Sequence, residues 1–334
     1  MNRPKTFGRR AVLASGSSAL VALAAPWSIL AQGRYPDRPI RLVVPFAPGG
    51  ATDVAGRLWA ERIKPLIGTV VIENRASGGG TPGAAEVARA PADGYTFLFG
   101  NTSTQVLVPA IMPRPPYDPL KDFAGVYILC LAPNSIVVHQ SVPARTLAEL
   151  ITYAKANPGK LSYGSAGAGT MTNLTGELFK QLIGAPDIVH IPYKGSAPGI
   201  ADLASGHIPM MTPNVGGPLI ELHRAGRVRI LAVTSKTRLK IARDIPTAIE
   251  AGLPGMVAET FNGLFAPAGV PRALIEQFAA STRTIAADPD FQRTLGTSGF
   301  ETVLDSGPEA AQRLVSEELA RWTPVMKATD FKLE

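Results

Sequence analysis

The feature that most limits how this chain can fold is the alternation of short apolar runs with runs of helical period. IRLVVPF precedes DVAGRLWAERI, VVIENR precedes AAEVARA, LSYGSA precedes NLTGELFKQLI, IVHIPY precedes GIADLASG, and VRILAVTS precedes IPTAIEAG. Buried strands read as brief apolar stretches, and amphipathic helices as longer segments with a 3.6-residue period. Their regular succession predicts an α/β protein with two doubly wound, mostly parallel sheets covered by helices. After residue 270 the pattern becomes helical, in PRALIEQFAASTRTIAA and GPEAAQRLVSEELARWTPVMKA.

A chain of 334 residues is long enough for about two domains. Two extended runs, VYILCLAPNSIVVHQ and ETFNGLFAPAG, flank the middle third and are expected to carry the chain from one domain to the other and back. Domain 1 would then be discontinuous, residues 33–129 plus 259–334, and domain 2 would span 130–258. A cleft between two such domains, lined by the carboxyl ends of strands, is where ligands bind in folds of this kind.

The N-terminus reads as an address rather than as part of the fold. A basic start containing Arg3, Lys5, Arg9 and Arg10 leads into a moderately apolar stretch from Ala11 and a small-residue exit. This is the pattern of an export signal, and the Arg9-Arg10 pair points to the twin-arginine route. Residues 1–31 are the expected leader, with cleavage after Ala31 and a second candidate at Ala22–Ala24. The stretch is interrupted by Pro26 and is shorter than the ~20 apolar residues of a membrane span. The mature chain is expected in the periplasm.

The net charge of +7 is mostly in that leader. Without its four cations the chain carries 29 basic and 26 acidic residues and no long run of like charge. A nucleic-acid surface is therefore disfavoured. The single cysteine, Cys130, excludes an intrachain disulfide and sits in an apolar run, as an inert core thiol would.

Enzyme signatures are missing. The one Gly-Lys pair, Gly159-Lys160, is followed by Leu161, so there is no phosphate loop. GGGTPG at 78–83 fits the dinucleotide pattern, but the next strand ends in Gly100 and Asn101 rather than an acid. No serine sits in G-x-S-x-G, and the four histidines lack metal-ligand spacing. No cofactor, metal or catalytic residue is expected.

Two similar units remain: VPFAPGGATDVAGRL and YGSAGAGTMTNLTGELF. Each is a strand, a turn of small residues and a helix. Such turns bring backbone N–H groups and the positive helix end close to a ligand anion. Thr52, Ser165, Thr170 and Thr172 add hydroxyls. Neither turn contains Lys or Arg, which suits a carboxylate better than a phosphate. The competing reading is that both turns are merely capped helix starts.

The chain resembles, from Tyr35 to Glu334, the Bug-type substrate-binding proteins of tripartite tricarboxylate transporters. The matching stretches include YPDRPIRLVVPFAPGGATD, VVIENRASGGGTPGAAEVARAPADGYTFLFG, ELITYAKANPGKLSYGSAGAGT and HIPYKGSAPGIADLASGHI. The resemblance implies a two-domain periplasmic binding protein of the Venus-flytrap, type II-like kind. It also implies a monomer that captures a small organic carboxylate and delivers it to the membrane subunits of a tripartite tricarboxylate-type transporter. The alternatives are a ligand-sensing partner of a membrane signalling protein, or a secreted α/β enzyme.

Carried onto this sequence, the turn of Pro48, Gly49, Gly50, Ala51, Thr52 and Asp53 would hold one side of the carboxylate. Asp53 would act mainly as a cap and loop organiser. The turn from Ser165 through Gly169 to Thr170 would hold the other side. Asn173, Asn214 and Phe261 stand where the family usually has His, Asp and Trp, and are expected near the variable end of the ligand. Phe46, Thr102, Ser103 and Tyr193 complete the expected binding set.

Overall fold

The computed structural model describes Met1, Asn2 and residues 35–328. Apart from its first two residues, the expected leader lies outside the described residues, as does its cleavage point. The chain divides into a short unit, Met1–Asp37, and a main unit, Arg38–Glu334, which holds the regular elements found among the described residues. In chain order these are β1 (Ile40–Val44), α1 (Ala51–Ile63), β2 (Val70–Asn74), α2 (Thr81–Ala88), β3 (Thr96–Asn101), α3 (Val108–Ile111), β4 (Phe123–Pro133), β5 (Ser135–His139), α4 (Leu147–Ala156), β6 (Ser162–Ser165), α5 (Met171–Ile183), β7 (Val189–Pro192), α6 (Ser196–Ser205), β8 (Met210–Met211), α7 (Gly217–Arg224), β9 (Val228–Val233), β10 (Glu259–Pro267), α8 (Arg272–Ala287), α9 (Pro289–Thr297), β11 (Glu301–Thr302) and α10 (Pro308–Ala328).

The strands form two sheets, in the orders β11-β4-β10-β3-β1-β2 and β7-β6-β8-β5-β9. The fold is the expected two-domain α/β architecture, but its sheets are mixed rather than mostly parallel. β1 runs parallel to β2 and β3, and β6 to β7 and β8. β10 is antiparallel to β3 and β4, β11 to β4, and β5 to β8 and β9. Parallel neighbours need a crossover, usually helical. β4, β5 and β10 are instead the segments that link the sheets directly, so they lie against their neighbours in the opposite sense.

β4 belongs to the first sheet through Pro133, β5 to the second from Ser135, and β10 to the first from Glu259. Cys130, within β4, is fully buried, and burial pushes its thiol well above the usual range.

Core packing follows the sequence pattern. β1 is buried along nearly its whole length because helices cover both faces of its sheet. α1 buries Ala55, Trp59, Ala60 and Ile63, one face at helical spacing. Gly56 lets α1 lie close on that sheet, since a Cβ there would be 3.3 Å from the Phe99 ring. In the second lobe one cluster around Tyr163, Phe179 and Leu150 packs one set of helices, and another around Val215, Leu219 and Ile230 packs the rest. Met171 and Leu174 of α5 sit instead among first-lobe residues such as Val106, Leu107 and Phe261. The two lobes therefore share apolar contact as well as the linking strands.

Candidate functional site

Between the lobes lies a narrow cavity of about 20 Å³. Phe46, Gly50, Ala51, Thr52, Asn101, Ser103 and Thr260 line it from the first lobe. Ala166, Thr170, Met171, Thr172, Ser196 and Asn214 line it from the second. Nearly all follow the carboxyl ends of strands: β1, β3, β6, β7 and β8. This is the crevice position at which open α/β sheets bind ligands.

Three helices begin on this cavity. The N–H groups of Ala51 and Thr52 at α1, Thr172 at α5 and Ser196 at α6 have no hydrogen-bond partner among the described residues. Each helix start carries about half a positive charge. No lining side chain is ionisable. The partial positive charge that the helix starts bring to the cavity comes from their backbone.

Glycines allow the walls to approach. A Cβ on Gly50 would lie 3.9 Å from Ser196 N across the cleft, and one on Gly195 would meet Ala47 Cβ at 3.0 Å. Gly195 also adopts φ +144°, a region that favours glycine.

The side chains around the cavity mostly satisfy one another. The Thr52 hydroxyl donates to Asn262 Oδ1 at 2.9 Å and accepts from Asn101 Nδ2 at 3.0 Å. Thr170 is the N-cap of α5: its Oγ1 accepts from Asn173 N at 3.2 Å and donates to Gly167 O at 2.7 Å. Thr172 Oγ1 accepts from Ala166 N at 2.9 Å. Ser165 Oγ lies 2.7 Å from His190 Nε2 and accepts from Gly167 N at 3.0 Å. The hydroxyls of Thr52 and Thr170 are thus spent on holding the turns, and the open donors on the cavity wall are backbone N–H groups and the hydroxyls of Ser103 and Ser196, which donate to no acceptor among the described residues. Ser103 reaches across the cleft, its Oγ accepting from Met171 N at 3.1 Å.

Of the expected binding residues, the structure brings Phe46, Gly50, Ala51, Thr52, Ser103, Thr170 and Asn214 to the cavity wall. It does not bring Pro48, Gly49, Asp53, Thr102, Ser165, Gly169, Asn173, Tyr193 or Phe261 there. Asp53 is 1% exposed and bound to its own loop, accepting from Gly49 N, Arg57 Nε and Asn74 Nδ2. Burial pushes its carboxyl upward, but the hydrogen bonds from Arg57, Gly49 and Asn74 and the charge of Arg57 outweigh that and hold it below its ordinary value. Thr102 Oγ1 accepts from Phe261 N, tying the turn after β3 to β10. Asn173 folds inward: its Oδ1 accepts from Gly169 N and its Nδ2 donates to Tyr163 Oη. Tyr193 donates to Asp202, and burial followed by that carboxylate pushes its hydroxyl up to about 12.

Ala166 and Thr172, which belong to the expected second turn and its helix start, also line the cavity, and Asn101, Met171, Ser196 and Thr260 line it without having been expected. Ser196 carried a readable signal: IVHIPYKGSAPG is a third strand, glycine turn and helix start, built like the other two. Asn101 and Thr260 carried none, since only the pairing of β3 with β10 brings them together.

Architecture and cavity together define a two-domain periplasmic binding protein. The model of the tripartite tricarboxylate transporter family receptor matches residues 55–331. The chain is 38% identical to a protein of the tcbD-tcbE intergenic region of Pseudomonas sp. strain P51, over 95% of this chain and 93% of that one. It is 32% identical to BugT of Bordetella pertussis, over 95% and 96%. Among solved structures it is similar to R. palustris Rpa4515 with adipate (TM-score 0.84, 35% identity, 89% and 98% covered). It is also similar to MatC of Rhodopseudomonas palustris with bound malate (TM-score 0.81, 31% identity, 87% and 99% covered). The chain belongs to the tripartite tricarboxylate transporter receptor family and is a Bug-type solute-binding protein.

Proposed function

We propose that this protein is exported to the periplasm, closes its two lobes on a small organic carboxylate, and presents it to the membrane subunits of a tripartite tricarboxylate-type transporter. The observation that carries this reading is the meeting of three helix starts, from both lobes, on one cavity with open N–H groups and no ionisable side chain. A carboxylate with its single charge suits such backbone donors; a phosphate usually recruits Lys or Arg as well. The carboxylates in the two similar structures, adipate and malate, support the same class.

We assign the moving bodies as residues 38–133 with 259–328, and residues 135–257, hinged where β4, β5 and β10 connect them. Ligand contacts with both bodies bias the hinge toward closure.

A thermal-shift screen against small carboxylates tests the reading, with the matching neutral amides as controls. A carboxylate at 100 times its dissociation constant adds about 2.7 kcal/mol to stability. If amides stabilise as well as acids, or if nothing in the library stabilises a folded sample, the reading is wrong.

A further inference from the structure

Asn214 stands on the cavity wall beside the linking strands, and the direction in which its amide points is fixed by a hydrogen-bond relay. Thr175 Oγ1 donates to the Met171 carbonyl at 2.7 Å, so it accepts from Asn134 Nδ2 at 2.5 Å. Asn134 therefore turns its Oδ1 toward Asn214 and accepts from Asn214 Nδ2. The same Nδ2 donates to the Ala132 carbonyl at 3.3 Å and lies 3.0 Å from Thr260 Oγ1. Reversing the Asn214 amide would set its oxygen against two other oxygens, those of Asn134 and Ala132.

The relay fixes Asn214 Oδ1 as the end left over. It has no partner among the described residues and is not enclosed. Around it the cavity is rich in donors: the helix-start N–H groups, with Phe46 and Met171 as apolar walls. The lining thus combines several donors with the unpartnered Asn214 Oδ1 as an acceptor.

We propose that Asn214 Oδ1 selects organic acids that carry a hydrogen-bond donor, a hydroxyl or an ammonium, besides the carboxylate held at the helix starts. This rests on the carboxylate reading given above. A bare acid brings the acceptor an apolar chain or a second carboxylate, and neither can satisfy it. An acceptor left without its partner inside a closed site costs more than the bond itself contributes.

Isothermal titration of the mature protein with succinate, malate and aspartate, and with butyrate and 3-hydroxybutyrate, tests the assignment. At least one donor-bearing acid should bind about tenfold or more tighter than its bare analogue. Asn214→Leu should bring that ratio to within about twofold, because both members of a pair then meet the same apolar wall. Asn214→Ala removes the same acceptor without adding bulk, so it should also bring the ratio to within about twofold. Ratios within one variant are insensitive to small losses of global stability. If Asn214→Leu fails to fold, the wild-type ratios and Asn214→Ala decide. Bare and donor-bearing acids binding equally well to the wild type would overturn this inference and leave the carboxylate reading intact. Failure of every acid to bind would overturn both.

Discussion

Thr170 shows how a residue can sit at a binding site without being available to the ligand. It lines the cavity, yet its hydroxyl caps α5 and donates to Gly167 O. Losing an N-cap costs about 1 kcal/mol, so Thr170→Val should lower the unfolding free energy by that much. Carboxylate affinity should stay within about twofold where the fold is intact, since the open donors of the turn are N–H groups. Urea unfolding beside calorimetry separates the two effects; a tenfold loss of affinity at unchanged stability would instead put the hydroxyl on the ligand. Asp53 is a second such case, with a pH signature. Its carboxyl is held below its ordinary value in the fold, so its contribution is fully present above the ordinary carboxylate pKa of about 4 and fades as pH falls below it. Asp53→Asn should be less stable at pH 7 and lose part of the acid-side slope of stability. A wild-type and mutant slope that coincide from pH 5 down to pH 3 would refute this.

At the scale of elements, the seat of α5 decides where the second turn of the cavity stands. A Cβ on Gly176 would lie 2.1 Å from the ring of Tyr163, which is fully buried with its hydroxyl bonded to Glu177 and Asn173. Gly176→Ala should destabilise by about 1–3 kcal/mol or more, the cost of overpacking a closed core, and chemical unfolding measures it. Unchanged stability would mean that helix and ring are not in contact. The sequence made the elements legible because the apolar periods of β1, α1 and α5 are local. It also marked two of the three helix starts, since small-residue turns after strands are local too. What it hid is non-local. β4 and β10 are apolar runs like any other, and only their pairing makes the sheets mixed. Asn173 and Tyr193 are polar residues beside the right turns, but their side chains are taken by Tyr163 and Asp202. Which face a polar side chain turns to is set by partners distant in sequence.

At the scale of the whole molecule, function depends on the lobes meeting, and the contact across the cleft is made of small parts. Ser103 Oγ accepts the Met171 N–H, Met171 lies among first-lobe apolar residues, and Gly50 faces Ser196 N. Burying a side chain of Met171's size is worth about 1.5–3 kcal/mol, and one neutral hydrogen bond about 1 kcal/mol. These sums are small enough for a ligand to govern closure. Gly50 has φ −74° and ψ 165°, an extended conformation open to any residue, so a larger side chain there strains no backbone. Gly50→Val would set its methyls against the start of α6 and hold the lobes apart. The variant should keep the melting temperature of the ligand-free protein within a few degrees, lose carboxylate affinity by about tenfold or more, and fail to compact on titration. Small-angle scattering with and without saturating carboxylate reads the last point directly. The wild type should contract and the variant should not. Equal contraction in both would mean that closure does not bring the Gly50 turn against Ser196, and the pincer geometry would have to be abandoned.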